Sequence, residues 1–184
     1  MKQIGLLVLV LLALSGCKQN NLEKANKLYQ KRDFTQALFH YEKACLEGEI
    51  YACKMSAFLH QEGKHSIPMS KAKAIKALEF ACQYGDLPSC KITLRAYNLL
   101  HLKDLSQKVL GYSCQGGDAT SCLQLAQTLY NPKDYKPSLE LATKSCYGGE
   151  KRGCKLAIAL LERFEPKSSS LNGLQKQLEL LLQS

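Results

Sequence analysis

The sequence predicts an all-α fold: a right-handed α-solenoid of about four disulfide-stapled helix pairs, with a capping helix at either end. Three observations predict it. Apolar residues recur at helical spacing from Leu22 onward, and no alternating β-branched run interrupts them. A nine-residue stretch of the form Cys-x-x-Gly-acid-x-x-small-Cys occurs four times, beginning at Cys45, Cys82, Cys114 and Cys146. Successive first cysteines lie 37, 32 and 32 residues apart. A helical unit of that period is too small to bury its own apolar face and must stack on its neighbours.

The first residues read differently from the rest. Met1-Lys2-Gln3 carries one positive charge, and Ile4 to Leu14 is apolar and uncharged. Eleven residues are too few to span a bilayer as a helix, which takes about twenty. Their position fits the apolar region of an export signal. Leu14-Ser15-Gly16-Cys17 resembles a bacterial lipobox, so residues 1–16 are expected to be removed and Cys17 to be acylated. Each methylene buried in a membrane contributes about 0.8 kcal/mol, and the two or three chains such proteins carry suffice for stable attachment. Lys18 follows Cys17, where inner-membrane retention in enteric bacteria uses Asp, so the outer membrane is favoured. Acylation also accounts for the odd one among nine cysteines.

Residues 18–21 form a short polar tether ahead of the solenoid body at 22–184. Leu22 to Arg32 is expected to be the first cap. The helix pairs follow at 34–47 with 50–62, 70–84 with 88–101, 104–116 with 119–130, and 135–148 with 151–164. Ser70 and Asp104 are candidate N-caps. Pro68, Pro132, Pro137 and Pro166 fall at linkers and helix starts, where proline is tolerated. Leu171, Leu174, Leu178, Leu181 and Leu182 stripe a last helix at 171–183 that caps the stack. Small residues stand just before each first cysteine (Ala44, Ala81, Ser113, Ser145) and eight before it (Ala37, Ala74, Ser106, Ser138), where a neighbouring helix must come close.

The cysteine spacing constrains the chain path. A disulfide holds its Cα atoms about 4.4–6.8 Å apart. Eight helical steps rise about 12 Å, and eight strand steps reach roughly 26 Å. The chain must therefore reverse within each motif. Gly48, Gly85, Gly117 and Gly149 supply the left-handed residue that ends a helix, and the acid after each can cap the next helix. Zinc would want its cysteines two to four residues apart, and a redox pair would read Cys-x-x-Cys. Repeat symmetry selects Cys45–Cys53, Cys82–Cys90, Cys114–Cys122 and Cys146–Cys154.

The run from Ala37 to Cys53, with its three counterparts, resembles the cysteine-rich Sel-one-like repeat proteins of Helicobacter and related bacteria, cousins of the tetratricopeptide repeat. The likeness covers about residues 34–164. The outer loops near His101-Leu102-Lys103 and Asn131-Pro132-Lys133 are shorter than that family's. The resemblance implies protein or peptide binding on a concave face. As an alternative it implies weak β-lactamase or penicillin-binding activity.

Chemistry is sparse in the sequence. Ser70-Lys71-Ala72-Lys73 matches the Ser-x-x-Lys element of the β-lactam enzymes, but neither Ser-Asp-Asn nor Lys-Thr-Gly accompanies it. Ser70 reads better as a cap. His40, His60, His65 and His101 show no metal-ligand spacing, and His40 reads as a helix-surface residue. No metal and no cofactor is expected. Tyr41, Tyr84, Tyr97, Tyr112 and Tyr147 read as interhelix packing rather than a peptide groove. The net charge of +9 reads first as general solubility, and a basic surface also suits anionic lipid or an acidic protein; export makes nucleic acid an unexpected partner. The expected function is a lipid-anchored scaffold, with Lys43, Lys76, Lys108 and Lys144 as candidate contacts.

Overall fold

The computed structural model describes residues 20–63 and 66–183. Residues 1–16, expected to be an export signal, Cys17, expected to be acylated, and His65 lie outside the described residues. Ten helices, and no strand, occur among the described residues. They are α1 (Asn21–Gln30), α2 (Phe34–Leu46), α3 (Ile50–Glu62), α4 (Lys71–Gln83), α5 (Leu87–Leu99), α6 (Lys103–Gln115), α7 (Ala119–Leu129), α8 (Lys136–Tyr147), α9 (Lys151–Phe164) and α10 (Ser170–Gln183). Each packs on the next, and every other helix also meets along much of the chain: α2 touches α4, α4 touches α6, and α7 touches α9. This order makes an all-α solenoid.

The four predicted disulfides are formed, with Cα–Cα distances of 4.6 Å in the first three and 4.3 Å in the fourth. The backbone between the cysteines explains why. Gly48 N–H donates to Cys45 O at 3.0 Å, and Glu49 N–H donates to Ala44 O at 3.0 Å. These two bonds are the Schellman pair that closes a helix C-terminus. The same pair recurs at Gly85 and Asp86, Gly117 and Asp118, and Gly149 and Glu150. The acid that completes one helix then opens the next. Asp86, Asp118 and Glu150 accept side-chain bonds from the N–H groups of Ser89, Ser121 and Arg152. Glu49 makes no such bond.

Of the two expected caps, one is formed and one is not. Ser70 caps α4, accepting from Lys73 N–H at 3.3 Å. Asp104 does not cap α6: the cap position is Leu102, and Asp104 lies in the first turn. Its charge there still faces the positive end of the helix dipole. The displacement follows from His101, whose φ of 56° ends α5 earlier and lets α6 start at once.

The core is built from small side chains. Ala37, Ala44, Ala52, Ala81, Ala126, Ala142 and Ala157 are fully buried, as close helix approach requires. Ser138 and Ser145 on α8 are also fully buried, and their hydroxyls donate to Ala126 O and Ala119 O of α7 at 2.8 and 2.7 Å. Such bonds satisfy polar groups that would otherwise be costly to bury. At the ends, Ala25 of α1 and Leu174 of α10 are buried against the terminal pairs, as expected of caps.

Candidate functional site

The first helix of each pair presents two exposed-face positions, six and two residues before its first cysteine. They carry Phe39 and Lys43 on α2, Lys76 and Phe80 on α4, Lys108 and Tyr112 on α6, and Glu140 and Lys144 on α8. The residues of a pair are one helical turn apart, so their side chains meet. Lys43 Nζ lies 4.3 Å from the Phe39 ring centre, Lys76 5.2 Å from that of Phe80, and Lys108 5.6 Å from that of Tyr112. The four lysines expected on a binding face are all exposed. Three of them stand over an aromatic ring, a geometry in which cation and ring attract.

Beneath Lys76 and Lys108 lies a group that sequence reading did not single out. Glu79 on α4 is 2 % exposed. Its Oε2 accepts from the Tyr97 hydroxyl of α5 at 2.6 Å and from Lys76 Nζ at 3.0 Å, and its Oε1 accepts from Lys108 Nζ of α6 at 3.0 Å. Burial pushes the Glu79 carboxyl upward. The Tyr97 hydroxyl and the Lys108 and Lys76 ammoniums outweigh burial and hold it below the usual glutamate range. Burial, then Glu79, pushes the Tyr97 hydroxyl up. One carboxylate thus ties three consecutive helices. A glutamate three residues before a cysteine is unremarkable in sequence; only the stacking brings Tyr97 and Lys108 to it.

The equivalent glutamate of the first pair is Glu42, whose Oε1 lies 2.9 Å from His60 Nε2 of α3. His60 is buried. Glu42 and His60 line a cleft of about 300 Å³ between the first and second pairs, together with Ser56, Lys73, Lys76, Phe80 and Leu46.

The tyrosines divide. Tyr41 and Tyr97 are core residues, and burial, then the neighbouring Tyr51 and Tyr29, pushes the Tyr41 hydroxyl up to about 12. Tyr84 and Tyr147 stay exposed, and the Tyr84 hydroxyl donates to Leu46 O at 3.1 Å. His40 is not a surface residue. It is buried, and its Nδ1 lies 3.0 Å from Asn21 Oδ1. The α1 cap covers it, and burial followed by the nearby Lys24 and Lys43 charges lowers its proton affinity.

These features define the class: an all-α solenoid of helix pairs, each closed by one disulfide. Solved structures similar to it include a Sel1 repeat protein from Oxalobacter formigenes, at 13 % identity and a TM-score of 0.45 over 90 % of this chain and 69 % of that one. A second is a protective antigen present in uropathogenic Escherichia coli strains and displaying an SLR fold, at 16 % identity and a TM-score of 0.44 over 86 % of this chain. The chain spans 37 % of the length of that antigen. A Pseudomonas aeruginosa protein is similar at 14 % identity and a TM-score of 0.36, over 87 % of this chain and 80 % of that one. No protein-family model matches the sequence, and no curated protein sequence matches it. The solenoid assignment rests on the chain's own helix order and bridges.

Proposed function

We propose that this protein is an exported scaffold, anchored to the outer membrane through an acylated Cys17, that binds an acidic protein or peptide segment along the concave side formed by its first helices. One observation carries the reading. An exposed lysine sits over an aromatic ring at the same two positions of α2, α4 and α6, and α8 adds Lys144. Successive pairs set these groups in a row, which offers an extended acidic chain a charge and an apolar surface at each repeat. The bridges reduce the ordering that such a surface needs on binding.

The test is site-specific photo-cross-linking in intact envelopes from positions Lys43, Lys76 and Lys108, one at a time. The reading predicts the same adduct from all three, lost when the other two lysines are replaced by Glu. Adducts that differ between positions, or that survive charge reversal, would overturn it. Anchoring is tested separately by acyl labelling of the wild type and of Cys17→Ser; label retained in the variant would refute the Cys17 assignment.

A further inference from the structure

The junction between the first two helix pairs differs from the next one at corresponding positions. In the second junction, Glu79 receives Tyr97 from its own pair and Lys108 from the next, the latter at 3.0 Å across the junction. In the first junction the equivalents are Glu42, His60 and Lys76. His60 meets Glu42 as Tyr97 meets Glu79. Lys76, however, turns to Glu79 on its own helix. The Lys76 ammonium, the equivalent of the one that closes the second junction, is therefore drawn away from the first, and Glu42 keeps His60 as its sole ion-pair partner among the described residues.

A cleft of about 300 Å³ stands there, at the small end of the range that ligand pockets occupy. Its bottom is formed by buried groups: Cys45, Ser56, His60 and Ala77. His60 is 4 % exposed, and its Nδ1 has no hydrogen-bond partner among the described residues. The rim carries opposite charges on different helices. Glu42 comes from α2 and Lys73 from α4. Glu42 is about half-exposed, and no salt bridge holds the Lys73 ammonium among the described residues. Between them lie the apolar Leu46, which is 61 % exposed, and Phe80. In the second junction the position of Lys73 is taken by Leu105 and that of Leu46 by Gln83, so this combination of charges and apolar rim belongs to the first junction.

We propose that this cleft binds a small zwitterion with an apolar side chain, of the amino-acid or dipeptide class. The ligand's ammonium takes the place beside Glu42 that Lys108 fills beside Glu79. Its carboxylate pairs with Lys73. Its side chain covers Leu46 and Phe80. Each end makes a charge-assisted hydrogen bond, the stronger kind, and the apolar rim is removed from water. This site does not depend on the scaffold reading above.

The test is isothermal titration calorimetry of the full chain in detergent with leucine, Leu-Leu, N-acetyl-Leu-Leu and Leu-Leu amide. Saturable binding of leucine or Leu-Leu is expected, and the two arms distinguish a free amino acid from a dipeptide. Acetylation and amidation should each weaken binding about tenfold or more, since each removes one charge-assisted contact. Glu42→Gln should weaken the unmodified ligand and leave the acetylated one unchanged. Lys73→Gln should do the converse with the amide. Both side chains lie at the rim, and unchanged thermal melts would show that the variants fold. Absence of saturation at millimolar ligand, or acetylated and amidated forms that bind as tightly as unmodified Leu-Leu, would overturn the proposal.

Discussion

The Tyr97 hydroxyl donates to Glu79 Oε2 at 2.6 Å, inside a site that Lys108 closes from the following helix pair. A carboxylate that is 2 % exposed and holds three donors is costly to alter, since its partners lose their acceptor. Glu79→Ala should lower unfolding free energy by about 2–4 kcal/mol. The partly exposed lysines can re-solvate, which keeps the loss toward the lower end. Tyr97→Phe should cost about 1–2 kcal/mol. Urea titration of the two variants checks both values, and a double variant should lose less than their sum, because the residues are in contact.

The same site sets an acid dependence. Glu79 is held below its unfolded value, so the unfolded chain takes up this proton more readily than the folded one. Its contribution is complete above the ordinary glutamate value of about 4.3 and is withdrawn as pH falls through the lower folded value. The stability gap between wild type and Glu79→Gln should therefore narrow on acidification. Melts taken from neutral pH down to about pH 3 measure it; a gap that widens would contradict the assigned direction.

Each bridge closes a short loop, with cysteines eight positions apart. The chain-entropy relation gives about 2.5 kcal/mol for such a loop. Replacing Cys114 and Cys122 together by Ala should cost about that much. Cys82 and Cys90 should behave alike. Non-reducing peptide mapping of the wild type should recover the four pairs within motifs. An inter-motif peptide would contradict the fold.

Much of the architecture is legible because it is periodic. The cysteine spacing demands a reversal, the glycine permits it, and the fourfold recurrence fixes the pairing; the structure places Gly48, Gly85, Gly117 and Gly149 at φ of 95° to 99°. What was not legible depends on which helices become neighbours. His40 looks like a polar helix-surface residue until α1 lies across it and Asn21 reaches its ring. Glu79 carries no motif, and its partners Tyr97 and Lys108 are 18 and 29 positions away. The exposed lysines were readable from helical phase, whereas their pairing with rings needed the Phe/Lys exchange between α2 and α4 to be seen on the same face.

The last helix tests how far the stack relies on its caps. Leu174 is 1 % exposed and belongs to the same cluster as Ala126, Cys146 and Cys154. Leu174→Ala should cost about 2–3 kcal/mol, toward the low side of core leucine losses because a terminal helix can settle into the gap. Hydrogen exchange should then show faster opening in α8 and α9 than in α2 and α3, since a repeat stack transmits stability between neighbours.

The Schellman pair also ends two helices that lack a glycine. His101 N–H donates to Asn98 O and Leu102 N–H to Tyr97 O at 3.1 and 2.9 Å, and Arg32 and Asp33 repeat this after α1. The left-handed residue there is His101, with φ 56°, or Arg32, with φ 61°. Left-handed backbone costs an L-residue roughly 1–2 kcal/mol, a cost that glycine avoids. His101→Gly should therefore stabilise the protein by about 0.5–1 kcal/mol after the extra chain entropy of glycine is subtracted. Gly117→Ala should move the other way. A Cβ there meets nothing within 4 Å, so its φ of 97° alone is responsible; the cost should be about 1–2 kcal/mol. Gly111, which also has open space but lies inside α6, separates backbone strain from packing: Gly111→Ala should stabilise by about 0.5–1 kcal/mol. Thermal melts of the three single variants decide it. Equal signs for Gly111→Ala and Gly117→Ala would remove backbone strain as the reason glycine occupies the turns.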